Sequence, residues 1–218
     1  VTDKFSNRIK KIATNGTITT IAGNGTNFST DNLNPLLASF AMPTGIILDP
    51  YSNIYVGDKG SSKIRKIATN GNVTTFAGSG SNYLIDGTGI NASFSQENQM
   101  AMDIAGVIYV ADQSNHSIRK ITPDGVVSTL AGNGYSGNVD GIGANARFNY
   151  PYGIVVDKFG TVYVSDRSNN KIRKITPDGV VSTLAGSGVA GFADGTGTAA
   201  QFNNPNGLTI DVNGDRKS

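Results

Sequence analysis

Between residues 153 and 185 the chain passes through four short runs of β-branched and aromatic residues, each closed by turn-forming ones. Residues 153–157 form the first run. Residues 161–165 (Thr-Val-Tyr-Val-Ser) follow the Gly160 turn, Ser168-Asn169-Asn170 leads into residues 171–175, and Pro177-Asp178-Gly179 leads into residues 180–185. Four such runs joined by tight turns predict four hairpin-connected antiparallel strands. The Pro-Asp-Gly turn has a physical basis: proline presets φ, aspartate bonds to the backbone ahead of it, and glycine accepts a positive φ. A Gly-rich connection, residues 186–206, then carries Ala193-Asp194-Gly195-Thr196-Gly197 and a short helical expectation around 198–202 before another first strand begins.

The same pattern recurs along the whole chain. Lys171-Ile172-Arg173-Lys174-Ile175 returns as Ser117-Ile118-Arg119-Lys120-Ile121, as Lys63-Ile64-Arg65-Lys66-Ile67 and, more loosely, as Arg8-Ile9-Lys10-Lys11-Ile12. From Ile9 through Ile64 and Ile118 to Ile172 the steps are 55, 54 and 54 residues. Ala22-Gly23, Ala77-Gly78, Ala131-Gly132 and Ala185-Gly186 keep this register, as do Phe40, Phe94, Phe148 and Phe202. A fixed period of this length decides the architecture. Four adjacent strands per unit and a longer crossover to the next predict an all-β fold, a β-propeller of four-stranded antiparallel blades. The expectation is one domain over residues 1–218, with repeats at about 1–55, 56–109, 110–163 and 164–218. A helical solenoid would need 3.6-residue periodicity, and a β-helix would need shorter coils without hairpins.

The residues themselves resemble the NHL-repeat family. Tyr109-Val110-Ala111-Asp112-Gln113-Ser114-Asn115-His116-Ser117-Ile118-Arg119-Lys120 is similar to a whole copy of its motif. Tyr163-Val164-Ser165-Asp166 with Asn169-Asn170-Lys171-Ile172 is another. Tyr55-Val56-Gly57-Asp58 with Ser61-Ser62-Lys63-Ile64, and Val1-Thr2-Asp3 with Ser6-Asn7-Arg8-Ile9, are looser ones. The resemblance implies blades of a propeller that usually has about six. With four units present, a stretch of a larger propeller, an open arc, is expected in preference to a closed four-bladed ring, although the two ends are complementary in phase. Open blade edges would favour self-association. The resemblance also implies a non-catalytic scaffold for protein or glycan contact. Its alternatives are a cation-dependent propeller enzyme, lactonase- or lyase-like, with its site in the central channel, and RNA binding on a basic blade face.

Composition narrows these alternatives. A formal charge of +2, from 18 basic and 16 acidic residues, is too small to require a nucleic-acid or anionic-membrane partner. Zero cysteines exclude disulfides and thiolate chemistry, and the single histidine, His116, excludes sites needing two. No apolar run approaches the length of a membrane helix. His116 is expected to be structural, its imidazole bonding to nearby backbone.

Candidate chemistry lies in the repeated charges. Asp49, Asp103, Asp157 and Asp211 end successive first strands, so a carboxylate ring could hold a hard cation such as Ca²⁺. The competing role is a side-chain cap on the turn that follows each aspartate. Asp3, Asp58, Asp112 and Asp166 precede the hairpin leading to the basic strand, and Asp112 with Arg119 or Lys120 is expected to form an exposed cross-strand pair. The ladder of Arg65, Arg119 and Arg173 with Lys66, Lys120 and Lys174 is the best argument for RNA. It lacks interleaved aromatics for base stacking and looks internally compensated. The loops at Asp86, Asp140 and Asp194 have glycine spacing but lie outside any βαβ unit, so they are crossover loops rather than nucleotide loops. Finally, the Pro-x-Gly that starts other first strands is replaced by Glu97-Asn98-Gln99. This break in symmetry marks Tyr83, Glu97 and Gln99 as a candidate partner-contact patch.

Overall fold

The structure, a computed structural model, describes residues 1–211 and 216–217, with residues 97, 98, 216 and 217 described by backbone alone. The first elements are a three-stranded sheet of β1 (Thr2–Asp3), β2 (Arg8–Ile12) and β3 (Ile18–Ala22). A four-stranded sheet follows, of β4 (Pro43–Leu48), β5 (Ile54–Asp58), β6 (Lys63–Ile67) and β7 (Val73–Ala77). After the short β8 (Gly87–Thr88) come β9 (Glu97–Met102), β10 (Ile108–Asp112), β11 (Ser117–Ile121) and β12 (Val126–Ala131). After the short β13 (Gly141–Ile142) come β14 (Pro151–Val156), β15 (Val162–Asp166), β16 (Lys171–Ile175) and β17 (Val180–Ala185), and β18 (Thr209–Ile210) pairs with β19 (Arg216–Lys217). No α-helix occurs among the described residues, and the helix expected near 198–202 is a single 3-10 turn, Gly197–Ala199. None of these elements is a helix long and apolar enough to cross a membrane. Contacts divide the chain into two compact units, Val1–Glu97 and Asn98–Ser218.

Each complete blade is an antiparallel meander in sequence order. In the last one Pro151 lies opposite Asp166, Tyr163 opposite Lys174, and Ile172 opposite Ala185. The turn after β15 and the crossover after β17 therefore leave from one end of the blade, and the Asp157 and Pro177 turns leave from the other. The second strands β10 and β15 are buried along their full length. The core of the first unit holds Ile9, Phe40, Val56, Ile67 and Val73, and that of the second holds Tyr109, Ile118, Phe148, Ile175 and Val181 with Val162 and Val164 of β15.

Two local devices repeat. Every third strand carries a register shift after its first isoleucine, at Ile9/Lys10, Ile64/Arg65, Ile118/Arg119 and Ile172/Arg173. Such a bulge re-aims the side chain that follows it, here the basic residue. The turn between second and third strands is a 3-10 turn ending on a left-handed residue, Asn7, Ser62, His116 or Asn170, with φ of 54°, 53°, 47° and 52°. Asparagine and histidine adopt this conformation more readily than most residues, which suits three of the four positions.

Candidate functional site

The Asp-Arg couples are the most charged feature, and they lie inside the protein. Arg65 Nη1 is 3.3 Å from Asp58 Oδ2, Arg119 Nη1 is 2.9 Å from Asp112 Oδ2, and Arg173 Nη1 is 2.7 Å from Asp166 Oδ2, with all six side chains at 0% exposure. This corrects the expectation of exposed cross-strand pairs. Asp112 faces Ser117 across the ladder, while Arg119 faces Val110, and the bulge beside Arg119 turns the guanidinium inward onto the carboxylate. The correction extends to the arginines of the basic ladder, which are not surface charges, whereas Lys66, Lys120 and Lys174 are half-buried. Burial pushes the Asp58 and Asp166 carboxyls above their ordinary range. At Asp166 the Asn149 N–H, the Asn169 amide and Arg173 pull the other way.

A second aspartate completes the clamp at Arg65 and at Arg173. Asp31 Oδ1 accepts from Arg65 Nη2 at 2.7 Å and from Thr75 Oγ1 at 3.0 Å, and its Oδ2 accepts from the Thr75 N–H at 3.0 Å. Asp140 does the same with Arg173 at 2.5 Å and Thr183 at 3.2 and 3.0 Å. Arg173 and Thr183 are opposite each other in the sheet, so one carboxylate pins the crossover loop onto two strands of the following blade. Backbone pairing extends the join: β13 adds to β17, and Asn32 exchanges two backbone bonds with Val73. The guanidiniums of Arg65 and Arg173 also lie 5.3 and 5.2 Å from the rings of Phe40 and Phe148. The sequence expectations used these phenylalanines as markers of the repeat register and missed the clamp. Part of the signal was present in Asp140, which begins an Asp-Gly loop, whereas Asp31 is followed by Asn32.

The proposed cation ligands are otherwise engaged. Asp49 Oδ1 accepts from the N–H groups of Tyr51 and Asn53 at 3.0 and 2.8 Å. Asp103 accepts from Ala105 and Val107 at 2.9 and 3.0 Å, and Asp157 from Phe159 and Thr161 at 2.9 Å each. Their second oxygens take Asn53 Nδ2, the Tyr109 hydroxyl and the Tyr163 hydroxyl. Burial, reinforced by the Asp103 carboxylate, pushes the Tyr109 phenol up to about 12. The hydrogen bonds that Asp49 and Asp157 accept outweigh burial and hold both carboxyls below the usual range. Asp211 is exposed. Among the described residues no three of His, Cys, Asp or Glu lie close enough together to hold a metal ion.

His116 acts on backbone. Its Nδ1 accepts the Tyr150 N–H at 3.1 Å, and its ring meets the Tyr150 ring edge-on at 4.8 Å. Asn7 and Asn170 make the same bond to Met42 and Asn204, each at 2.9 Å, so the left-handed turn residue caps the start of the next first strand. Accepting at Nδ1 requires neutral imidazole, and burial lowers the His116 pKa in the same sense.

Of the symmetry-breaking patch, Tyr83 is exposed on a crossover loop, Gln99 is half-buried in β9, and the Glu97 side chain lies outside the described residues. Tyr83 has counterparts. Within four residues of a Gly-x-Gly exit, the crossover loops display Phe28, Tyr83, Tyr135 and Phe192, exposed by 69%, 66%, 71% and 98%.

Sheets of this order, with crossover loops clamped to the outer strands of the following blade, define blades of a β-propeller. Comparison with known proteins agrees. The chain is 32% identical over 179 residues to human NHL repeat-containing protein 2, a match covering 75% of this chain and 25% of the relative. An auxiliary nutrient binding protein from Bacteroides thetaiotaomicron superposes with a TM-score of 0.68 at 21% identity, covering 91% of this chain and 46% of that one. Virginiamycin B lyase from Staphylococcus aureus superposes at 0.59 and 18% identity, covering 99% and 57%. No family model matches the chain. The chain belongs to the NHL-repeat family. It spans a fifth to a quarter of the curated relatives it matches first, 20% and 25% of their lengths.

Proposed function

We propose that the chain is a non-catalytic propeller scaffold that contacts a protein or glycan partner through its crossover loops. The supporting observation is a division of labour. Recurring aspartates, arginines and the histidine are used inside the blades, while the loops hold aromatic side chains out at Phe28, Tyr83, Tyr135 and Phe192. Exposed aromatics of this size are the anchors that binding surfaces favour, because each buries a large area at little cost in side-chain entropy. A binding role is what one fold neighbour, the nutrient binding protein, carries in its name, whereas another is a lyase, so fold alone does not choose between them. On this reading the chain needs no cofactor.

The test replaces Phe28, Tyr83, Tyr135 and Phe192 by alanine together and compares both proteins on immobilised glycan and protein panels. A partner held by the wild type and lost by a variant with unchanged melting supports the reading. Retention of the partner by the variant, or turnover of a panel compound, refutes it.

A further inference from the structure

The joins at Asp31 and at Asp140 are built from the same parts. The aspartate bonds an arginine and a threonine on the third and fourth strands of the following blade, and Asn32 or β13 pairs along the edge of that fourth strand. Phe40 or Phe148, each at 0% exposure, packs against the arginine. Under this cover Ile67 and Val73 are 5% and 1% exposed. The first blade keeps the register, with Lys10 opposite Thr20 and Ile12 opposite Ile18 where the second has Arg65 opposite Thr75 and Ile67 opposite Val73. Its Ile12 and Ile18 are nevertheless 55% and 60% exposed. Lys10 exchanges both backbone bonds with Val1, so the facing Thr20 turns its own N–H away from β2, along the outer edge of β3. Among the described residues no strand pairs with that edge, which leaves its backbone groups as a template for another chain.

The matching half of a join stands at the last crossover loop. Asp194-Gly195-Thr196-Gly197 repeats Asp140-Gly141-Ile142-Gly143 and is already held in the clamping shape. The Gly186 N–H donates to Gly197 O at 3.0 Å as the Gly132 N–H does to Gly143 O at 3.1 Å, and φ is 58° at Gly197 and 54° at Gly143. Among the described residues no hydrogen bond or ion pair holds the Asp194 carboxylate, and Phe202 is half-buried where Phe148 is fully buried. We propose that this loop of one copy of the chain docks on the first blade of a second copy and completes the join between molecules. Asp194 takes the Lys10 ammonium and the N–H and hydroxyl of Thr20, and Phe202 covers Lys10. Gly195 pairs opposite Ile18, as Gly141 pairs opposite Val181. Lys10 bonds Asp3 as Arg65 bonds Asp58, and its ammonium keeps further donors for the second carboxylate. Two different surfaces meet, so the association is head-to-tail. The inference goes beyond the aromatic-loop reading and leaves it intact, because Phe28 stays 69% exposed in a loop that is already clamped.

The test follows the mass of the whole 218-residue chain by analytical ultracentrifugation as its concentration is raised. Reversible self-association with a Kd of about 10–100 μM is expected. Asp194→Lys, which breaks the loop half, and Ile18→Lys, which breaks the edge half, should each weaken it at least about tenfold with the circular dichroism spectrum retained. Mixed in equal amounts, the two variants should associate again, because the intact loop of the Ile18→Lys chain meets the intact edge of the Asp194→Lys chain. A monomer at every concentration up to ~1 mM overturns the proposal. Undiminished association of Asp194→Lys overturns it too, since β3 edges would then be pairing with each other, and so does the absence of any gain on mixing. Should Ile18→Lys fail to fold, loss or retention of association in Asp194→Lys decides the matter.

Discussion

Replacing Arg173 by methionine removes one cation and strands another group. The guanidinium donates to Asp166 at 2.7 Å, to Arg147 O at 3.2 Å, to Val139 O at 2.9 Å and to Asp140 at 2.5 Å. Without it, Asp166 remains at zero exposure with no countercharge, keeping only the Asn149 N–H and the Asn169 amide. Breaking a buried pair from one side costs about 3–5 kcal/mol, because the remaining charge stays desolvated. For a chain of this size that corresponds to about 6–20 °C in melting temperature. The internal control is Lys10, which occupies the same repeat position. Its salt bridge to Asp3 is short, 2.5 Å, but the two side chains are 31% and 34% exposed. Lys10→Met should cost only about 0.2–1 kcal/mol. Because the two substitutions lie in different compact units, the readout is amide exchange of β2 for one and of β15 for the other, alongside urea unfolding by circular dichroism. If Arg173→Met costs under about 1 kcal/mol, or no more than Lys10→Met, burial is not what gives these couples their weight.

Three further outcomes follow from the geometry. Since His116 is held neutral, the folded chain binds fewer protons than the unfolded one, so its contribution is complete above pH ~6.5 and falls as the solution is acidified below it; His116→Asn should flatten that part of the stability profile. Asp157→Ala removes the acceptor for two N–H groups and the Tyr163 hydroxyl and should cost about 1–2 kcal/mol, while ~1 mM calcium should leave wild-type melting unchanged; a rise of several degrees would show that the aspartates hold a cation after all. Gly132→Ala places a Cβ 2.6 Å from His116 O at φ +95° and should cost more than about 1 kcal/mol by equilibrium unfolding.

The strands were legible because each is a local pattern bounded by turn residues. The runs expected at 153–157, 161–165, 171–175 and 180–185 are Pro151–Val156, Val162–Asp166, Lys171–Ile175 and Val180–Ala185. Burial of the arginines was not legible, since a basic residue on a β-branched strand reads as solvent-facing, and only the bulge at Ile172/Arg173 reverses that. The loop clamp was hidden for a different reason. Asp140 reaches Arg173 and Thr183 33 and 43 residues away, a pairing that depends on how the next blade stacks. The expectation of a contact patch at Tyr83, Glu97 and Gln99 came from asking where the repeat fails, a question about sequence symmetry rather than geometry. Residues that recur at each step are already committed to making and joining blades, as Asp166, Arg173 and Asn170 are. Ser62 is the exception among the turn residues, because its hydroxyl bonds Asn82 where Asn170 caps Asn204.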